Sequence, residues 1–560
     1  MSLNPYFRFL GHTCFLLAWL SYDHYRPWSS FHGEALAFAG LWFLMFAFCL
    51  ANTREGLATP KLTIYVATLA LLPWLQFACG VSPFAGSALV VSLYLLGFSV
   101  AIWLGHSYVQ PDSYRHVDLT LVFDILSLAA LASAGIGLVQ WLGLQEPFGM
   151  YVVQTDIGDR AMGNLGQPNQ LATLTLMGIA SLLWSFERKR IGVVCVLVTI
   201  GFLSMSLVLS QSRAGMISSV AVVAFLIWKN QQKVTRLKSK FILTWLALYL
   251  VAMPSLPYLQ DALYLGLGRS VNPVVDNARL TIWKQILSGI SHAPWFGYGW
   301  NQTPAAHAAG SISFPGLLSY TNAHSVVLDL LAWNGVVVGM VLLLVCAYWL
   351  ISRAKTAISI TAIYAFCALI PIVVHSLFEY PFAYAYFLLS AGLLVGMVEN
   401  QKVPHRTVRS RRYLSLFFIA VFFVLGCRIV YEYLLVEEDF QVMRFENLNI
   451  GKTPPGHQPP QLYLLTQMKS MLVAGRQNSL PNMTFKELEN LRLASNQFPY
   501  ASLRLRYAIA LGLNGRPTEA SHQFAVIRGM YGDFYYQAAV ISLRELQQKE
   551  YPELSEVETR

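Results

Sequence analysis

The feature that most constrains this chain is a succession of apolar runs, each close to the thickness of a bilayer's hydrocarbon core. A helix crosses that core with about 20 mostly apolar residues. It must be a helix, because no water is there to satisfy the backbone. Thirteen runs meet the description, at roughly residues 9–20, 35–52, 62–80, 84–105, 118–144, 169–185, 191–209, 214–228, 241–257, 323–350, 357–378, 381–398 and 412–434. Charged residues make up only 12% of the 560, against about 25% in soluble domains. The expected fold class is therefore all-α, a polytopic membrane helix bundle of about 13 transmembrane helices.

The net charge of +10 does not point to nucleic acid, because Lys and Arg fall in short clusters between apolar runs, where such clusters orient a membrane protein. With the N-terminus in the cytoplasm, the loops on that side hold 19 Lys and Arg, including Arg188-Lys189-Arg190, the Lys229–Lys240 cluster and the Lys402–Arg412 cluster. The external connections hold 6: Arg26, Arg160, Arg213, Arg269, Arg279 and Lys284. An odd number of spans then puts the C-terminal region outside. The seven cysteines all lie in apolar runs, without the spacing of a zinc site or redox pair. The first apolar run reads as a retained span rather than a cleavable signal.

Two regions depart from the pattern of apolar helices and short loops. One is a large external loop at about 258–322, within a membrane domain of residues 1–434. The other is the C-terminal region, 435–560. There Ala501–Ile527 reads as a helix-turn-helix, with Leu503, Tyr507, Ala508 and Leu511 on one face and Ala520, Phe524 and Ile527 on the next. It resembles one tetratricopeptide-like repeat, and a generic helical hairpin fits equally well.

Four polar stretches fall at the expected outer face: Asp159–Asn169, Ser210–Gly215, a set running from Asn277-Ala278-Arg279 through Gly297–Asn301 to Asn322–Ser325, and His375–Pro381. Each has a plain structural reading. Pro168 and Asn169 break one helix and cap the next. Arg213 snorkels to the interface. His324 starts a helix, and His375 with Glu379 forms an i,i+4 pair. Their gathering at one face is harder to explain that way, since ionisable groups near hydrocarbon are costly. Arginine offers a permanently charged planar fork that suits phosphate, and histidine exchanges a proton near neutrality. Together they suit an amphiphilic phosphate substrate. A zinc site would have to use His292, His307, His324 or His375, but these lack compact ligand spacing, and HExxH is absent. No metal and no cofactor is expected. Asp124, inside the fifth run, suits either a proton-coupled carrier or a buried hydrogen-bonded carboxylate.

On these residues the chain resembles the O-antigen ligase and polymerase (WaaL/Wzy) superfamily, and within it the bacterial protein O-oligosaccharyltransferases of the PglL type. The resemblance rests on RAMGNLGQPNQLA (Arg160–Ala172), SQSRAG (Ser210–Gly215), ARLTIWKQILSGISHAPWFGYGWNQ (Ala278–Gln302), NAHSVVLDLLAWNG (Asn322–Gly335) and HSLFEYPFAYAYFLL (His375–Leu389). The GQPN and HSLFEYP elements resemble the protein-glycosylating branch in particular. The resemblance implies inverting, metal-independent glycosyl transfer at the periplasmic face of the inner membrane. The donor would be an undecaprenyl-pyrophosphate-linked oligosaccharide and the acceptor a Ser or Thr of a pilin-like exported protein. His324 matches the essential loop histidine. Arg213 and Arg279 match the arginines that hold pyrophosphate, and Arg160 would be a third contact. Gln167, Asn169, Tyr380, His375 and Glu379 would position glycan or acceptor.

Two alternatives stay open at this point. One is an O-antigen ligase with a lipid A-core acceptor, or an O-antigen polymerase. The other is a transporter of an amphiphilic anion, which inverted repeats and a midplane charge would favour. The charges here cluster at one face.

Overall fold

The computed structural model describes residues 4–51, 57–109, 113–265, 273–399, 408–410, 412–453 and 456–559. Arg269 and the part of the basic cluster from Lys402 to Thr407 lie outside the described residues. The helices, in chain order, are α1 (Asn4–Leu20), α2 (Phe31–Ala51), α3 (Lys61–Leu69), α4 (Leu72–Ala78), α5 (Ala85–Tyr108), α6 (Ser113–Trp141), α7 (Pro168–Glu187), α8 (Val193–Leu209), α9 (Arg213–Gln231), α10 (Ser239–Ala262), α11 (Pro273–His292), α12 (Thr303–Ser311), α13 (Val326–Thr356), α14 (Ile360–Ser376), α15 (Ala385–Glu399), α16 (Arg412–Asn447), α17 (Thr466–Arg476), α18 (Phe485–Gln497), α19 (Ala501–Leu513) and α20 (Pro517–Lys549). Two three-residue strands, β1 (Leu57–Thr59) and β2 (Val408–Ser410), pair antiparallel.

Helix occupies every apolar run found in the sequence. Among the described residues, eight helices are long and apolar enough to cross a membrane; α8, α14 and α15 are shorter apolar helices. The third run is split into α3 and α4, where Pro73, lacking an N–H, sits at the start of the second piece. The tenth departs from a single straight helix: α13 contains Gly335 at φ 74°, ψ 171°, a conformation open to glycine.

The chain groups into two compact units, one of residues 1–69, 94–270 and 348–426, the other of 70–93, 271–347 and 427–560. This differs from a division at residue 434. Residues 271–347 group with the C-terminal helices and with residues 70–93, where Gln76 donates to the Trp333 carbonyl (2.9 Å) and accepts from the Trp300 amide (2.8 Å).

In the first unit, α7 is the central element. It packs against α6, α8, α9 and α14, and nearly all its residues are buried, among them Gln170, Thr173, Thr175, Ser181 and Ser185. Helices within a bilayer gain little from hydrophobic burial alone and pack closely where residues are small. Here Gly178 of α7 lies against Ala130 of α6, and Gly105 and Gly396 let α5 and α15 meet at the backbone carbonyls of Leu393 and Ile102. A Cβ on any of the three would clash.

Polar contacts in this unit form two separate sets. One set holds the Arg190–Asp124 pair (2.7 Å), the Arg353–Glu399 pair (2.8 Å), Glu187 accepting from the Arg236 and Leu237 amides (2.9 and 2.9 Å), and the β1–β2 ladder. The other holds His24 with the Asn164 carbonyl (2.7 Å), Gln140 donating to the Val153 and Gly163 carbonyls (2.8 and 2.9 Å), and Gln260 donating to the Gly158 carbonyl (2.6 Å). Each contact of the first set joins segments that the charge asymmetry places on one side, and each of the second joins segments placed on the other. Asp124 is a half-exposed carboxylate rather than a buried one, and both its oxygens accept from Arg190 (2.7 and 2.8 Å).

In the second unit, α19 and α20 form the hairpin expected from Ala501–Ile527, turning at Gly515 (φ 72°). Leu503, Tyr507, Ala508, Leu511, Ala520, Phe524 and Ile527 are all buried. Residues 273–322 are stitched to this region by the Gly316 amide donating to the Gly529 carbonyl (2.8 Å), Gln285 donating to the same carbonyl (3.2 Å), Ser319 donating to the Pro499 carbonyl (3.1 Å), and Gln302 donating to Gln497. Gly529 has no room for a Cβ, which would meet the Ser311 carbonyl oxygen at 2.6 Å.

Candidate functional site

Three of the polar motifs meet in the first unit, and they meet on Asn169. Gly166 in the left-handed region (φ 72°) turns the chain into α7, with Gln167 in extended geometry just before it, half-buried, and Pro168 as its first residue. Proline is tolerated there because the first-turn N–H has no intrahelical partner. This places the Asn169 amide, 8% exposed, at the helix start. Its Oδ1 accepts from Ser212 Oγ (2.7 Å) and from Arg160 Nη2 (3.4 Å), and its Nδ2 donates to Glu379 Oε1 (3.4 Å). RAMGNLGQPN, SQSRAG and HSLFEYP are therefore joined through one side chain.

The arginines flank this knot. Arg160, half-buried, donates from Nε to the Ser210 carbonyl (2.9 Å). Arg213 is the first residue of α9 and is exposed, while Ser212 caps that helix by accepting from the Gly215 amide (2.9 Å). Cationic side chains at two adjacent helix N-termini add to the positive ends of the helix dipoles, an arrangement that favours an anion.

Beneath them, His375 is fully buried at the end of α14. Thr173 Oγ1 donates to the Asn169 carbonyl (2.9 Å) and lies 2.9 Å from His375 Nδ1. His375 and Glu379 thus engage Thr173 and Asn169 on α7. Tyr380, half-buried, stacks on Tyr384 with centroids 5.9 Å apart. Tyr386 donates to Gln170 (3.2 Å).

Arg279 and His324 belong to the second unit. His324 lies in the bend before α13, half-buried, with a left-handed φ of 53°, a conformation that costs energy outside glycine and persists where surroundings impose it. The preceding residue is held at both ends: the Ala323 amide donates to Asp329 Oδ1 (2.9 Å), and its carbonyl accepts from Trp283 Nε1 (3.1 Å). Thr303 Oγ1 donates to the same Asp329 oxygen (2.7 Å) and accepts from Trp333 Nε1 (2.8 Å). The Tyr320 ring meets the imidazole edge-on at 5.1 Å. Arg279 is on α11 one turn before Trp283, hence on the helix face turned to this loop.

Other parts of the motifs are structural. The Tyr298 and Gly299 amides donate to the Ala332 and Trp333 carbonyls (2.8 and 3.1 Å), and the Val336 amide donates to the Pro294 carbonyl (2.7 Å), so the FGYGW loop completes the backbone hydrogen bonding opened by Gly335. His307 is buried and paired with Gln285 (2.8 Å). Burial, aided by the nearby Arg504 charge, pushes its pKa down to about 3. Among the described residues, no group of three His, Cys, Asp or Glu is arranged to hold a metal.

Sequence reasoning missed Ser212, Thr173 and Asp329 as individual residues. Asp329 carried a signal, a carboxylate in the first turn of an apolar span. Ser212 and Thr173 carried none, since their contribution arises from which helices face each other.

Comparison with known proteins bears on the same segments. The family model of the O-Antigen ligase matches residues 198–344, that of the Virulence factor membrane-bound polymerase, C-terminal, matches 363–544, and that of the Protein glycosylation ligase matches 161–186. The chain is 30% identical over 95% of its length to the General O-oligosaccharyltransferase of Acinetobacter baylyi, covering 92% of that protein. It is also 30% identical over half of its length to the ComP-specific O-oligosaccharyltransferase of the same organism, covering 50% of it. With similarity of this extent running through every motif that builds the knot at Asn169 and the His324 loop, the chain belongs to the O-oligosaccharyltransferase family.

Proposed function

We propose that this protein transfers a preassembled glycan en bloc from an undecaprenyl-pyrophosphate carrier to Ser or Thr hydroxyls of exported, pilin-like proteins at the periplasmic face of the inner membrane. The observation that carries this reading is the knot at Asn169. The segment matching the protein glycosylation ligases contains Asn169, which joins the arginine motif to the HSLFEYP motif. His324 removes the acceptor hydroxyl proton as its oxygen attacks the anomeric carbon. The bond from that carbon to the pyrophosphate oxygen breaks with inversion. Arg213, Arg279 and Arg160 stabilise the charge growing on the departing pyrophosphate. Gln167, Asn169, Tyr380, His375 and Glu379 position glycan or acceptor. Pyrophosphate is a good leaving group, so neither metal nor nucleotide is required. All thirteen apolar runs cross the membrane in this reading, with the N-terminus cytoplasmic and the C-terminal helices periplasmic.

The deciding experiment compares the glycoproteins and lipopolysaccharide of cells with and without the protein. Loss of Ser/Thr-linked glycans supports the reading. Intact protein glycans with loss of O-antigen would make it a ligase or polymerase. For the orientation, an alkaline-phosphatase fusion after Glu437 is expected to be active, and an inactive one would reverse the assignment.

A further inference from the structure

We infer that Asp329 is a positioning residue for His324, setting the orientation of the loop that carries the imidazole and stabilising that ring electrostatically when it takes up a proton. The inference rests on the reading of His324 as the base. Asp329 is fully buried, a costly place for a carboxylate without compensation. Its Oδ1 accepts from the Ala323 amide (2.9 Å) and the Thr303 hydroxyl (2.7 Å), and the Asn322 side chain bonds the same carboxylate. Two of these donors come from the residues immediately before His324, so the carboxylate anchors the turn that leads into His324, whose own backbone is left-handed. The His324 ring lies within Coulombic range of the carboxylate. A cap for the first turn of α13 would need no more than the amide bonds. It would not need Thr303, itself braced by Trp333 (2.8 Å), or a histidine within Coulombic range of the charge.

The test uses the full-length protein in detergent, a polyprenyl-pyrophosphate-linked glycan as donor and a purified pilin-like protein as acceptor, with kcat, KM and Tm measured for each variant. Asp329→Asn keeps a carbonyl oxygen for the Ala323 amide but loses the charge. Asp329→Glu keeps the charge but displaces it. Asparagine is expected to lower kcat about 100-fold with both KM values within about threefold of the parent and Tm nearly unchanged. Glutamate is expected to retain more kcat than asparagine although it lowers Tm more. A kcat that simply tracks Tm across both variants, or parental kcat in Asp329→Asn, would overturn the inference. His324→Ala is run beside them. If it remains active, the failure lies with the assignment of His324 and is seen independently of Asp329.

Discussion

Ser212 Oγ donates a 2.7 Å hydrogen bond to Asn169 Oδ1, tying the start of α9, which bears Arg213, to the start of α7. The bond sets the orientation of an amide whose other end meets Glu379, so both faces of Asn169 are committed. Such a residue tolerates neither loss nor charge. Asn169→Ala is expected to lower stability by about 1–3 kcal/mol, the cost of leaving buried partners unsatisfied, and to reduce transfer. Asn169→Asp is expected to be worse for activity, since it sets a second carboxylate against Glu379. Thermal unfolding and transfer assays read the two effects separately; parental activity in Asn169→Asp would remove Asn169 from the centre of the site.

Arg213 sits at a helix start, exposed, where a phosphate would gain from both the guanidinium and the dipole. Arg213→Ala is expected to cost about 1.5–3 kcal/mol of donor use, through loss of a charge-assisted bond. Arg213→Lys is expected to restore little, because an ammonium does not reproduce the two-pronged geometry. The quantity to measure is kcat/KM for the donor at constant acceptor.

His307 makes the second unit sensitive to acid. Its folded pKa, about 3, lies below the roughly 6.5 of an unfolded histidine. The unfolded chain therefore binds the extra proton first. The stability that this neutral histidine contributes is fully present above about pH 6.5 and is lost as pH falls toward about 3. The hydrogen-exchange protection of residues 303–311, corrected for the intrinsic rate at each pH, is expected to fall across that window, and His307→Asn is expected to flatten the dependence.

The tail and the large loop depend on each other. Gly529→Ala brings a methyl against the Ser311 carbonyl and is expected to loosen residues 312–325, seen as faster limited proteolysis there. Truncation after residue 440 removes the partners of Gln285, Gly316 and Ser319. It is expected to abolish transfer altogether instead of selectively weakening acceptor use.

Chelation supplies a further check on the chemistry. Transfer by purified protein is expected to be unaffected by EDTA and to need no nucleotide, because the proposed mechanism assigns stabilisation of the leaving pyrophosphate to arginines. Inhibition reversed by a divalent cation would refute this.

The apolar runs and the polar motifs were legible in the chain alone, because each depends on local free energies of transfer along one dimension. Helix is found at every run, and loops that share a sign of charge asymmetry share polar contacts. The hairpin at Ala501–Ile527 was legible for the same reason, its apolar residues falling at helical spacing. Which residues of the motifs touch was not legible. Asn169 read as a helix cap, and only the rotation of α7 against α9 and α14 makes it the meeting point of Ser212, Arg160 and Glu379. Gly529, more than 200 residues from the loop it supports, gave no local sign of that contact, which depends on close backbone approach in three dimensions. Asp329 was visible as a charge in an apolar span, but its hold on the peptide before His324 required the bend that the tertiary structure imposes.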